Sequence, residues 1–77
     1  MDIKTADYWT ADENRRWIEL TKIYGKNSRR IASIMGTRSL LQCARKVYVT
    51  FMKLQRGSLT WDKKLFDAVK PYNFEHY

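Results

Sequence analysis

The chain has 77 residues, 44% of them hydrophobic and 30% charged, and a formal net charge of +7 from 15 Lys and Arg against 8 Asp and Glu. A chain of this size supports one domain with a small core, because only about 60% of the unfolded surface is buried at such lengths, and the composition excludes a disordered tail or a fibre. One Cys and one His exclude an intramolecular disulfide and a four-ligand structural zinc site within the chain, and no apolar run approaches the ~18 residues of a membrane-spanning helix.

In chain order, Met1-Asp2-Ile3-Lys4 lacks the apolar stretch of a signal peptide. Thr10-Ala11-Asp12-Glu13 fits a capping box, in which the Thr hydroxyl takes an orphan amide and the Glu reaches back. Asp12 and Glu13 also suit the positive end of the helix dipole. Trp17, Leu20, Thr21 and Tyr24 follow at helical spacing beside Ile18, and Gly25 supplies a left-handed stop. A first helix is predicted over Ala11–Tyr24. Lys26-Asn27-Ser28 offers an N-cap for a second, with Ile31, Ile34 and Met35 on its apolar face, Ala32 at a close contact and Gly36 at its end. Two turns do not stand alone, so this helix must lean on its neighbours.

Ser39-Leu40-Leu41-Gln42 is a second capping box and opens a third helix. Its inward stripe is predicted as Leu40, Cys43 or Ala44, Val47, Phe51 and Leu54, with Gly57 as the stop. Val47-Tyr48-Val49-Thr50-Phe51 in isolation has the β-branched and aromatic character of a strand. Cap, period and terminal Gly agree on helix instead. Ser58 and Thr60 are candidate caps for a fourth helix over Trp61–Val69, with Trp61, Leu65 and Val69 on one face, Phe66 adjacent and Pro71 beyond. The tail Pro71-Tyr72-Asn73-Phe74-Glu75-His76-Tyr77 is aromatic and aperiodic, suited to docking in a partner groove or to disorder.

The charge is uneven. Residues 1–25 carry four cations and five acids, and residues 57–77 carry three of each. Residues 26–56 carry Lys26, Arg29, Arg30, Arg38, Arg45, Lys46, Lys53 and Arg56 and no acid, so this middle segment holds the whole excess. Like charges gathered in this way repel one another unless a polyanion meets them. A solvated basic face is the bland explanation, and a nucleic acid or an acidic protein surface is the functional one.

Residues 9–51 resemble a Myb/SANT repeat. The matching residues are Trp9-Thr10-Ala11-Asp12-Glu13, Tyr24-Gly25, Ile31-Ala32, Arg38-Ser39 and Gln42-Cys43, and Gly36-Thr37-Arg38-Ser39-Leu40-Leu41-Gln42 looks like the single-repeat branch. The resemblance implies an all-α fold, a three-helix Myb/SANT-like (helix-turn-helix) domain over 1–57, to which the caps and period beyond Gly57 add a short C-terminal helix and aromatic tail over 58–77. It implies a third helix that enters the DNA major groove, or, as in SANT relatives, a surface that binds histone tails or other proteins, and a nuclear location. The family's first regularly spaced aromatic falls on Trp9, the second on Ser28 and the third on Val47. Ser28 leaves a gap in the core worth ~3 kcal/mol or more, for which Trp61 is the expected filler and Trp17 the alternative.

The family's base-reading positions fall on Leu41, Arg45 and Val49. Arg45 retains a bidentate contact to guanine, while Leu41 and Val49 offer only apolar contact, for example to a thymine methyl. Arg29, Arg30, Arg38, Lys46, Lys53 and Arg56 are expected at phosphates, which supply affinity without selecting sequence. Leu41, Tyr48, Val49 and Met52 are left outside the inward stripe. They are covered by the fourth helix or, with Trp61, Leu65, Phe66 and Val69, form a surface for a protein partner or a second copy. Cys43 is expected to be a buried apolar side chain. His76 has no triad partner, and the chain shows no paired carboxylates, no Ser/His/Asp set and no glycine-rich phosphate loop, so an enzyme is not expected. No cofactor, no metal, no small-molecule substrate and no membrane partner are expected. The expectation is a double-stranded DNA-binding module acting as a small subunit or dimer in a nuclear complex. A protein-interaction module of a chromatin or enzyme complex is the alternative.

Overall fold

The computed structural model describes residues 8–71. Four helices account for the regular structure of the described residues: α1 (Ala11–Tyr24), α2 (Ser28–Met35), α3 (Leu40–Arg56) and α4 (Lys63–Val69). There is no strand among the described residues, and Val47–Phe51 is helical. α2 packs on α1 and α3, and α4 lies against both α1 and α3. The tail residues Tyr72, Phe74, His76 and Tyr77 lie outside the described residues.

Local chemistry sets the helix ends. The Thr10 hydroxyl accepts from the Glu13 N–H at 3.1 Å while Glu13 Oε1 accepts from the Thr10 N–H at 3.0 Å. Ser39 and Gln42 repeat the arrangement at 3.2 and 2.8 Å. Each box satisfies two amides that the first turn would otherwise leave without partners. The Asn27 side chain caps α2. Gly36 and Gly57 end α2 and α3 at φ 72° and 76° in the left-handed region, where a Cβ costs about 1–2 kcal/mol. Gly25 differs from the sequence expectation: at φ 65° and ψ −135° it lies outside the left-handed helical region.

The core is Trp17, Ile31, Met35, Cys43, Phe51, Leu54, Leu65 and Val69. On α3 the buried positions are Cys43, Thr50, Phe51 and Leu54, and Val47 packs partly against them. Leu40, expected inside, is exposed in the first turn, and Ala44 is exposed where Cys43 is buried. Ile34 of α2 is likewise at the surface.

The fourth helix begins two residues later than its periodicity predicts. Asp62 takes the N-cap by accepting from the Leu65 N–H at 3.1 Å. The same carboxylate pairs with Lys22 of α1 at 2.5 Å, and both contacts hold its pKa below the usual range. Trp61 therefore lies outside α4. It is 58% exposed and rests on Phe66, with ring centroids 4.8 Å apart, so it does not fill the core as expected. Leu65 and Val69 are the side chains that α4 inserts, Phe66 meets Phe51 with centroids 5.7 Å apart, and Ser28 stays buried. The Lys26 ammonium donates to the Lys70 carbonyl, tying the α1–α2 turn to the end of α4. The C-terminal helix thus belongs to the same core as the first three.

Candidate functional site

The eight cations between residues 26 and 56 do not form a uniform face. Arg29, Arg30, Arg45, Lys53 and Arg56 are exposed. Arg30 also lies over the Tyr24 ring at 5.1 Å. Lys26 is spent on the Lys70 carbonyl.

Arg38 corrects the sequence expectation most sharply. Expected at a phosphate, it is 1% exposed. Its Nε donates to Glu13 Oε2 at 2.8 Å and its Nη2 to Oε1 at 3.1 Å. The Nη2 also donates to the Tyr8 carbonyl, and the Thr37 hydroxyl donates to Glu13 Oε2 at 3.2 Å. A fork of fixed donors suits this bidentate pairing, and a buried guanidinium requires it, because it cannot lose its proton. Glu13 thus caps α1, pairs with Arg38 and joins the α2–α3 turn to α1. Sequence reasoning saw only the cap and the dipole, since no periodicity links positions 13 and 38.

Beside this pair, the N-terminal segment and α3 form a cleft of about 490 Å³ lined by Tyr8, Trp9, Asn14, Gln42, Arg45, Lys46, Val49 and Lys53. None of the described lining residues is acidic. Helical spacing explains the α3 side: Gln42, Lys46, Val49 and Lys53 recur at four, three and four residues, with Arg45 adjacent. Trp9 forms the wall and packs only partly against the core. Arg38 lies 4.6 Å and Lys46 4.5 Å from its ring centroid. The Lys46 ammonium is also 5.5 Å from the Trp17 ring. Aromatic faces attract cations through their quadrupole, so the two indoles fix the lysine in place. No hydrogen bond or ion pair reaches the Lys46 ammonium among the described residues. Burial, reinforced by Lys53 and Arg38, lowers its pKa from 10.5 to about 8.

The other predicted positions divide. Leu41 is 79% and Tyr48 64% exposed, and Val49 is at the surface on the cleft rim. Met52 is half-buried against the core, and Phe66 is half-buried between Phe51 and Trp61. Leu65 and Val69 are core residues, which corrects their expected surface placement: α4 turns that face toward α1 and α3. Cys43 is fully buried and its thiol pKa is raised by that burial. Tyr8, Asn14 and Gln42 line the cleft without any sequence signal for it, apart from the cap role of Gln42.

No group of His, Cys, Asp and Glu among the described residues has the arrangement of a metal site, and no described helix is long and apolar enough to cross a membrane. No model of a known protein family matches the chain, and no solved structure matches its fold significantly.

Proposed function

We propose that the chain is a double-stranded DNA-binding module of Myb/SANT, helix-turn-helix type that lays the exposed face of α3 along the duplex. The observation that supports this reading is the acid-free run of residues 26–56, whose Arg29, Arg30, Arg45, Lys53 and Arg56 are exposed. Lys46 stands beside them in the cleft. Arg29, Arg30, Lys46, Lys53 and Arg56 take phosphates, Leu41 and Val49 touch the groove by apolar contact, and Arg45 is the one position suited to a guanine edge. Arg38 has no part in the contact, being consumed by Glu13. A single module of this kind selects sequence weakly, so it works as a small subunit or dimer of a nuclear complex and carries no catalytic role.

The test is fluorescence anisotropy with a random-sequence duplex across a salt series. With about five phosphate contacts, log affinity against log salt falls with a slope of about −4 to −5, and Arg45→Ala with Lys46→Ala flattens it. A slope near zero overturns the reading.

A second reading is supported by the exposure of Leu41, Tyr48 and Trp61. Three large apolar side chains at the surface suit a protein partner or a second copy, the cations then meeting an acidic surface. Under this reading, binding to that partner survives high salt and the duplex is not bound.

A further inference from the structure

We propose that the cleft between the Tyr8-Trp9 segment and α3 is a seat for one phosphate group, with the Lys46 ammonium as its central anchor and Arg45 and Lys53 on its flanks. The seat rests on the DNA reading only for the source of that phosphate.

Three observations carry the proposal. First, the described lining of the cleft gathers three cations and two side-chain amides, Asn14 and Gln42, and includes no carboxylate. A tetrahedral anion with several acceptor oxygens matches donors that arrive from different directions. Second, Lys46 is held by the Trp9 and Trp17 rings without an acid partner, so its position is fixed before any ligand arrives and little side-chain freedom remains to be lost. Third, at about 490 Å³ the cleft falls within the range of small-ligand sites and exceeds what a bare phosphate fills. Tyr8 and Val49 on its rim suit the sugar attached to that phosphate.

The charge state of Lys46 supports the geometry. From α3, Lys53 disfavours its proton and Cys43 favours it. From the α2–α3 turn, Arg38 disfavours it, and from α1, Glu13 favours it. Burial outweighs them all. Arg45 and Tyr8 complete the charged and titratable groups of the described lining. An anion seated among these cations favours the charged form of Lys46, so occupancy and proton uptake are coupled.

The experiment is NMR of the whole chain, following the Trp9 indole N–H, the Asn14 and Gln42 side-chain amides and the Lys46 side-chain resonances. One arm adds inorganic phosphate, a second adds acetate at equal ionic strength, and a third adds a short random-sequence duplex. The expected result is a saturable response of the cleft signals to phosphate, weak or absent with acetate. The Lys46 titration midpoint rises by one pH unit or more when phosphate is bound, which corresponds to a tenfold or greater coupling. Lys46→Gln weakens phosphate binding about tenfold, Lys46→Arg restores it without the pH dependence, and the exposed Lys53→Gln, which leaves the core untouched, weakens it less.

If the duplex moves the same signals, the phosphate belongs to a DNA backbone. If phosphate moves them and the duplex does not bind, the seat stands, its phosphate is free or a monoester, and the DNA reading alone fails. Duplex binding that leaves the cleft signals and the Lys46 midpoint unmoved overturns the seat while the DNA reading stands. Equal response to acetate, or none to either anion or duplex, overturns the seat as well.

Discussion

Arg38 and Lys46 approach the same indole, 4.6 and 4.5 Å from the Trp9 centroid, and belong to the same acid-free run of sequence. Their fates are opposite. Arg38 is sealed inside with Glu13 on its guanidinium. Lys46 faces the cleft with two aromatic faces and no carboxylate. The difference teaches that a count of cations does not describe a surface. What a buried or half-buried cation does is set by the partner the fold brings to it, and a cation left without one is the place where an outside anion gains most.

The largest expected effect breaks the paired half of this comparison. Glu13→Ala leaves a buried guanidinium without its carboxylate, and removing one partner of a buried pair costs about 3–5 kcal/mol. For a chain this small the variant is expected to be largely unfolded, as seen by circular dichroism and urea titration. Arg38→Met is expected to cost less. The carboxylate it leaves behind retains the Thr10 N–H and the Thr37 hydroxyl and is able to take up a proton, as a guanidinium is unable to lose one.

Next in size is Leu65→Ala. The side chain is 2% exposed, and truncation of a buried leucine costs about 2–5 kcal/mol. A thermal midpoint unchanged by this substitution would show that α4 is an accessory to the fold rather than part of it, and that the packing around Trp17 and Cys43 closes without it.

A smaller effect isolates the unpaired half. In the folded state the Lys46 pKa is lowered to about 8 from 10.5, so between those values the unfolded chain binds more protons than the folded one. Stability from this group therefore rises as pH climbs from about 8 toward 10.5, and the strain of holding the charge is fully present below pH 8. Lys46→Met is expected to remove that rise while leaving stability at pH 7 unchanged or higher. Urea midpoints of the two proteins measured from pH 7 to 10.5 make the comparison. Parallel curves would show that Lys46 keeps an ordinary pKa.

The finest distinction is in salt dependence. Under the DNA reading, Lys46→Met reduces the salt slope by about one, the loss of one phosphate contact. Arg38→Met, measured under conditions where it is folded, leaves the slope as it is in the parent chain. Equal reductions in both variants would show that the fold responds to either loss and that the two cations are not functionally separate.

Much of the architecture was legible from residue types in order. Thr10 with Glu13 and Ser39 with Gln42 announced two helix starts, and Gly36 and Gly57 announced two ends, because these signals act within one turn of chain. The apolar spacing placed Trp17, Ile31, Cys43, Phe51 and Leu54 inside. The fourth helix was legible as an element but not in its start, since Asp62 competes with Ser58 and Thr60 for the cap and wins through its additional pair with Lys22. The candidate site was legible only in its α3 half, as Arg45, Lys46, Val49 and Lys53. The other half, Tyr8, Trp9 and Asn14, reaches it across the fold.

The sequence by itself therefore determined the helices and the total charge, because caps, glycine stops and period depend on neighbours a few residues away. Tertiary structure alone decided which cations meet a carboxylate, which aromatic faces hold an ammonium and which face of α4 is buried. Those outcomes rest on contacts such as that between Glu13 and Arg38, 25 residues apart, whose energy comes from desolvation and geometry that no local pattern encodes.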